Sequence, residues 1–430
     1  MNGSKSLIFK IRGQSKIKGE VEVSGSKNAS LAILAASILV KGKVFLENVP
    51  NLSDVIEMFK IIESLGGKVF YEKNNVLIEA KNLSSFKPNP EPIRKIRGSV
   101  NFLGSILARF GKIEIPYPGG DVIGSRPIKT HIDALKELGV VFEESEIIKG
   151  TIKNKKGGSL ILKESSVTAT QILLMYATCL NSPLEIRLAA TEPSVTSLCR
   201  FLQKAGVKIL GVGTPFLKVY PSKIKNFVNF KIPPDNIETG TWIALGAASK
   251  SEIKIKKINL EELDSILVVL NEIGVPYKIE KDCITIEKNK KPLRAIKLQT
   301  GLFPKFPTDL QAPFGVLLTQ ANGVSLIHDW LFESRFGYLL ELNKMGANTE
   351  ILDAHRAIII GPTPLYGKEI SSLDIRSGAA LVIASVIAQG DSVIFEAEKI
   401  YRGYEKIDEK LKNIGVNIKV ESYPQEDLKN

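Results

Sequence analysis

Leu65-Gly66-Gly67-Lys68-Val69 closes an amphipathic run and opens an extended one. The same join returns as Leu138-Gly139-Val140, Ala205-Gly206-Val207-Lys208-Ile209, Ile273-Gly274-Val275, Met345-Gly346-Ala347 and Ile414-Gly415-Val416-Asn417-Ile418. Glycines 66, 139, 206, 274, 346 and 415 stand 73, 67, 68, 72 and 69 residues apart. A period near 70 is longer than solenoid repeats of 20–50 residues. It suits a small subdomain used six times, with function expected where repeats face each other.

Working outward from Gly66, residues 17–24 alternate like a strand and residues 27–40 form an Ala/Leu/Ile-rich helix. Gly42 ends that helix, and residues 44–46 read as a short buried strand. Asp54 reads as the N-cap of a second helix. Val55, Met58, Phe59, Ile62 and Leu65 share one face of it. Gly66 supplies its C-terminal turn, and strands near 68–71 and 75–79 follow. The unit is βαβαββ. Later first helices are expected to begin near Gly98, Thr168, Ile237, Thr308 and Ser377.

At 430 residues the chain can hold two domains. Its longest apolar runs, 31–40 and 379–388, are too short to span a bilayer, so no membrane insertion is expected. The N-terminus lacks a signal-peptide pattern. Cys179, Cys199 and Cys283 have no metal-ligand spacing, nor do His131, His328 and His355. The cysteines read as reduced thiols of a cytoplasmic protein. The net charge of +12 comes from scattered lysines without a nucleic-acid module, so no nucleic-acid partner is expected. A cleft lined by Arg and Lys would still attract a small polyanion.

The first helices share one peculiarity. Each opens on polar or charged residues: Ser26-Lys27-Asn28, Arg97-Gly98-Ser99, Thr168-Ala169-Thr170, Glu238-Thr239, Pro307-Thr308-Asp309 and Arg376-Ser377. N-capping accounts for Thr168, Thr308 and Ser377. It does not account for Lys27, Arg97 and Arg376, because cations oppose the positive end of a helix dipole. They become sensible if they face an anion held at helix N-termini. The stretch 116–127, with three prolines and three glycines around Asp121 and Arg126, suits either a lid or a tight surface connection.

Six stretches carry a resemblance. They are Ser24-Gly25-Ser26-Lys27-Asn28-Ala29, the loop 118–127, Asp235-Asn236-Ile237-Glu238-Thr239-Gly240-Thr241, Phe306-Pro307-Thr308-Asp309-Leu310-Gln311, Phe332-Glu333-Ser334-Arg335-Phe336 and Asp374-Ile375-Arg376. Together they resemble the enolpyruvyl transferases, and among them the UDP-N-acetylglucosamine 1-carboxyvinyltransferase family. The likeness runs from about residue 7 to 420.

The resemblance implies an α/β fold of two inside-out α/β barrel domains, each of three βαβαββ repeats, as in EPSP synthase. One domain would be residues 25–234, carrying the lid loop 116–127. The other would combine 1–24 with 235–430, and the active site would lie in the cleft between them. The implied reaction moves enolpyruvate from phosphoenolpyruvate to the 3′-hydroxyl of UDP-N-acetylglucosamine and releases phosphate, without metal or cofactor, in a monomer.

The resemblance also implies site residues. Lys27, Asn28, Arg126, Arg376 and Arg402 would contact phosphoenolpyruvate. Arg97, Arg126, Pro127, Ile128, Lys129, Thr130, Ser166, Val167, Thr168, Asp309 and Leu331 would contact the nucleotide sugar. Asp309 would act as base or proton relay, and Asp374 and Arg335 would support the cleft. Arginine suits such work because its fork binds carboxylate or phosphate bidentately.

Four positions depart from the family pattern. Asp121 stands where cysteine is usual; that cysteine is the proposed proton donor and the target of fosfomycin, so resistance is expected. An aspartate donates a proton near neutral pH only if burial outweighs nearby arginines; otherwise Asp121 would assist product release. Glu164 stands where some relatives have lysine, Thr168 where glycine is common and Asn101 where some have tryptophan. Two other readings remain open: an EPSP synthase acting on shikimate 3-phosphate, and a non-enzymatic repeat protein that binds polyanions.

Overall fold

The structure, a computed structural model, describes residues 6–120, 124 and 127–423. These form two compact units, one of residues 6–24 and 234–423, the other of 25–120 and 127–233. Among the described residues there are six sheets, five of four strands and one of three.

The fifth repeat shows the common plan. Strand Lys297–Gln299 leads through helix Gln311–Leu318 to strand Gly323–His328, beside which it lies in parallel. Helix Gly337–Lys344 then leads to Asn348–Ile351, and the returning strand Arg356–Gly361 pairs antiparallel with both Asn348–Ile351 and Gly323–His328. The six glycines that end the second helices all have positive φ, from +87° to +103°. That conformation is cheap only for glycine, which is why the join repeats so faithfully.

The first helices form the cores. Helix Asn236–Ala248 is buried from Ile237 onward, and in Ile375–Ile387 twelve positions are buried. Within this unit Asn236–Ala248, Gln311–Leu318 and Ile375–Ile387 pack against one another. In the other unit Lys27–Ser37 packs on Phe102–Phe110, which packs on Val167–Tyr176. The helices are apolar all round because sheets and other helices surround them. Each unit has its own apolar core.

Pairing departs from the order of elements in the chain. Strand Lys18–Glu22 precedes helix Lys27–Ser37 and is expected in its sheet. Instead it lies parallel to Glu252–Lys256, in the other unit. Its place beside Lys43–Glu47 is taken by Phe227–Lys231. The sixth repeat is likewise completed by the N-terminal strand Ser6–Arg12, between Asp391–Phe395 and Asn417–Tyr423. The second repeat has no first strand among the described residues, and its sheet has three strands.

Four helix starts also differ from expectation. Asp54 is not an N-cap: Leu52 holds that position, and Asp54 sits in the first turn. Ser166 caps Val167–Tyr176 by accepting from the Ala169 amide. Asp374 caps Ile375–Ile387, with Ser377 completing a capping box. Thr308 opens a 3-10 turn, Thr308–Leu310, and makes no side-chain cap.

Helix Phe102–Phe110 approaches Val167–Tyr176 through Gly104, where a Cβ would lie 2.4 Å from the Ile172 carbonyl oxygen. Backbone cannot yield there as a side chain would. Gly104→Ala is expected to lower stability by about 1–3 kcal/mol despite the better helix propensity of alanine. Denaturant titration checks this, and an unchanged midpoint would show that the two helices separate freely.

Candidate functional site

In the unit containing residues 234–423, polar side chains gather on the turn Thr308–Leu310. Asp309 Oδ1 accepts from Arg335 Nη2 at 2.9 Å. Its Oδ2 accepts from Arg376 Nε at 3.1 Å and lies 3.0 Å from Nη2. Arg335 Nη1 also donates to the Thr308 carbonyl at 3.1 Å. One guanidinium thus holds both the carboxylate and the backbone beneath it.

Arg376 is 6 % exposed and stacks on the Tyr404 ring, 5.2 Å from its centroid. Tyr404 shares a hydrogen bond with Thr241 Oγ1 at 2.9 Å. Burial opposes charge on Arg376, yet its pKa is raised, with Tyr404, Asp309 and Asp235 as the contributors. Tyr404 is itself raised by burial and is a neutral phenol at neutral pH, so the two carboxylates supply the charge that matters. Arg376 Nη1 is buried and makes no hydrogen bond among the described residues.

In the other unit Lys27 opens helix Lys27–Ser37, capped by Ser26, and its Nζ lies 2.8 Å from Asp54 Oδ2. Both side chains are buried. This corrects the helix-dipole argument: the counter-anion beside Lys27 is Asp54, as Asp309 is beside Arg376. Neither cation needs a bound anion to be explained. Asn28 is exposed.

A cavity of about 440 Å³ lies nearby in sequence terms, lined by Arg97, Tyr117, Pro118, Pro127, Ile128 and Lys129 together with Ile132, Asp133 and Glu144. Behind its helix Lys129–Glu137, His131 Nε2 is 2.7 Å from Thr168 Oγ1, and Thr130 donates to Glu164 at 2.8 Å. The 127–130 and 166–168 stretches are therefore tied side to side. His131 Nδ1 is buried and meets no hydrogen-bond partner in strict geometry among the described residues; burial with the Arg97 charge lowers the imidazole to about 4, against a smaller opposing contribution from the Ile128 backbone.

The structure thus joins Asp309 to Arg376, and places Arg97, Pro127, Ile128 and Lys129 around one cavity. Ser166, Val167 and Thr168 lie at one helix N-terminus. Arg402 ends the turn Ala397–Arg402, and Leu331 donates its amide to Asp329. Asp374 meets the backbone of Arg376, not its guanidinium. Asp121 and Arg126 lie outside the described residues. The sequence reading took Asp54 only as a cap and His131 only as a histidine without metal-ligand spacing, and it gave no role to Asp329 or Tyr404. Each acts by a contact distant along the chain, which no local pattern announces.

Residues 11–411 match the family profile described as EPSP synthase (3-phosphoshikimate 1-carboxyvinyltransferase). Two crystal structures share the fold. The enolpyruvyl transferase NikO from Streptomyces tendae has a TM-score of 0.89 and 21% identity, covering 98% of this chain and 100% of that one. EPSP synthase from Acinetobacter baumannii has a TM-score of 0.75 and 16% identity, covering 97% and 100%. The class is therefore that of the two-barrel enolpyruvyl transferase fold.

Sequence relatives narrow it. The UDP-N-acetylglucosamine 1-carboxyvinyltransferase of Campylobacter lari is 37% identical over 413 residues, 96% of this chain and 98% of the relative. That of Treponema denticola is 37% identical over 418 residues, 95% and 98%. The chain belongs to the UDP-N-acetylglucosamine 1-carboxyvinyltransferase family.

His131 makes stability depend on pH. Its folded pKa of about 4 lies below the ordinary 6.5, so between these values the unfolded chain binds a proton that the folded chain refuses. The contribution is intact above about 6.5 and is lost as pH falls toward 4, amounting to about 3 kcal/mol. Melting curves at pH 7 and pH 4.5 should differ less for His131→Asn than for the parent chain. An equal difference would show that His131 titrates normally.

Proposed function

We propose that this chain transfers enolpyruvate from phosphoenolpyruvate to the 3′-hydroxyl of UDP-N-acetylglucosamine, the first committed step of peptidoglycan synthesis. The family assignment supports the reaction. The observation that carries the site is Asp309, a carboxylate fixed on both oxygens by Arg335 and Arg376. A carboxylate held in one direction by two forks suits the base or relay that takes the hydroxyl proton.

The reaction adds, then eliminates. The sugar oxygen bonds to C2 of phosphoenolpyruvate while C3 gains a proton. C3 then loses a proton as phosphate leaves C2. Arg376, buried between Asp309 and the Tyr404 hydroxyl, is a guanidinium donor suited to an anionic substrate. Lys27, Arg402 and Arg126 are assigned to the same phosphate and carboxylate. Arg97 and the 127–130 and 166–168 stretches are assigned to the nucleotide sugar. Their cavity includes a cation pair, Arg97 and Lys129, suited to a diphosphate. We place the enzyme in the cytoplasm as a monomer; the three cysteines are free, and no helix among the described residues is long and apolar enough to cross a membrane.

We further propose that fosfomycin does not inactivate it. Asp121 is a poor nucleophile toward the epoxide. Burial pushes the Cys179 thiol up to about 11 and Cys199 up to about 12, and Cys283 is also raised, so none offers a thiolate at neutral pH.

Phosphate release from phosphoenolpyruvate tests the reading, with UDP-N-acetylglucosamine or shikimate 3-phosphate as acceptor. Turnover with the nucleotide sugar alone is expected. Turnover with shikimate 3-phosphate alone would make the chain an EPSP synthase, and turnover with neither would favour polyanion binding. Asp309→Asn should lower kcat by about 100-fold or more. Fosfomycin should leave the rate unchanged but inactivate Asp121→Cys with time. Time-dependent loss in the parent chain would overturn the resistance proposal.

A further inference from the structure

Asp329 is fully buried at the end of strand Gly323–His328. Its Oδ2 accepts from Thr308 Oγ1 at 2.6 Å. Its Oδ1 accepts from the amides of Leu331 at 3.0 Å and Phe332 at 3.2 Å. Its backbone is held as well: the amide donates to the His355 carbonyl at 2.8 Å, and the carbonyl lies 2.7 Å from His355 Nδ1. The bond to a carbonyl requires the proton on Nδ1.

One carboxylate therefore joins two pieces of the proposed site. Its Oδ2 arm grips Thr308, next to Asp309, and the Thr308 carbonyl receives Arg335, which in turn holds Asp309. Its Oδ1 arm shapes the segment carrying Leu331, four residues before Arg335. A buried carboxylate with this many donors is a rigid node, since moving any partner leaves a charge undersatisfied.

We propose that Asp329 is the positioning residue of this reaction: through Thr308 it aims Asp309, and through the Leu331 amide it sets the nucleotide-sugar contact. It touches no substrate. The inference rests on the function proposed above, and its two arms make separable predictions.

The experiment measures phosphate release and, by calorimetry, binding of UDP-N-acetylglucosamine, with a thermal melt of every variant. Thr308→Val removes the hydroxyl at nearly constant volume; kcat should fall about tenfold, the loss of one good hydrogen bond, with Kd within about twofold. Thr308→Ser keeps the hydroxyl and should recover most of the rate. Asp329→Ala should lose both kcat and affinity. Asp329→Asn keeps an acceptor for both amides and a donor for Thr308, so it should recover much of both.

A Thr308→Val protein with parental kcat would overturn the proposal, as would equal losses in the Val and Ser variants. If Asp329→Ala fails to fold, the Thr308 pair still decides. Absence of turnover in the parent chain would instead remove the functional reading.

Discussion

Two parallel strand pairings hold the chain's topology together. Lys18–Glu22 lies beside Glu252–Lys256, and Phe227–Lys231 lies beside Lys43–Glu47. Each supplies a sheet with a strand that the neighbouring sequence does not provide. A βαβ crossover needs a parallel partner for its second strand. In both cases the partner is borrowed from across the chain. Helices Lys27–Ser37 and Asn236–Ala248 follow the two crossing points, so the polar ends that carry Lys27 and Glu238 are set by these pairings.

The polar groups at the helix starts follow a common logic. A cation at a helix N-terminus is unfavourable unless an anion answers it. In both well-described cases a protein carboxylate answers, Asp54 for Lys27 and Asp309 for Arg376. Buried ion pairs of this kind add little stability over apolar packing, but removing one partner is costly. Their value is directional: they hold a charged side chain in one orientation inside an otherwise apolar core.

Much of this was legible in the sequence. Gly66 and its five counterparts marked every second-helix terminus, because the positive φ each adopts, +87° to +103°, strongly favours glycine. The first helices announced themselves by unbroken apolar runs. Periodicity alone left the exchanged strands unpaired, since it reports an element but not its partner; only the resemblance grouped residues 1–24 with 235–430. Asp54 had the position of a cap and the work of a counter-ion. Asp329 matched no pattern, and His131 was noted only as lacking metal-ligand spacing. Their roles rest on contacts with Thr308 and Thr168, about 20 and 37 residues away in the chain. Composition singled out Asp121 and Arg126 within the stretch 116–127, but their roles were implied only by resemblance.

The strand Ser6–Arg12 pairs along its length with Asn417–Tyr423. On a ribosome, residues 6–12 therefore wait for residues 417–423 to be made before that pairing can form, and until then one edge of the strand lacks this neighbour. The described strands of the unit of residues 25–233 pair only with one another, so nothing made after residue 233 is needed to complete their sheets. The order of synthesis thus lets one half of the molecule become a finished body while the other still awaits a strand.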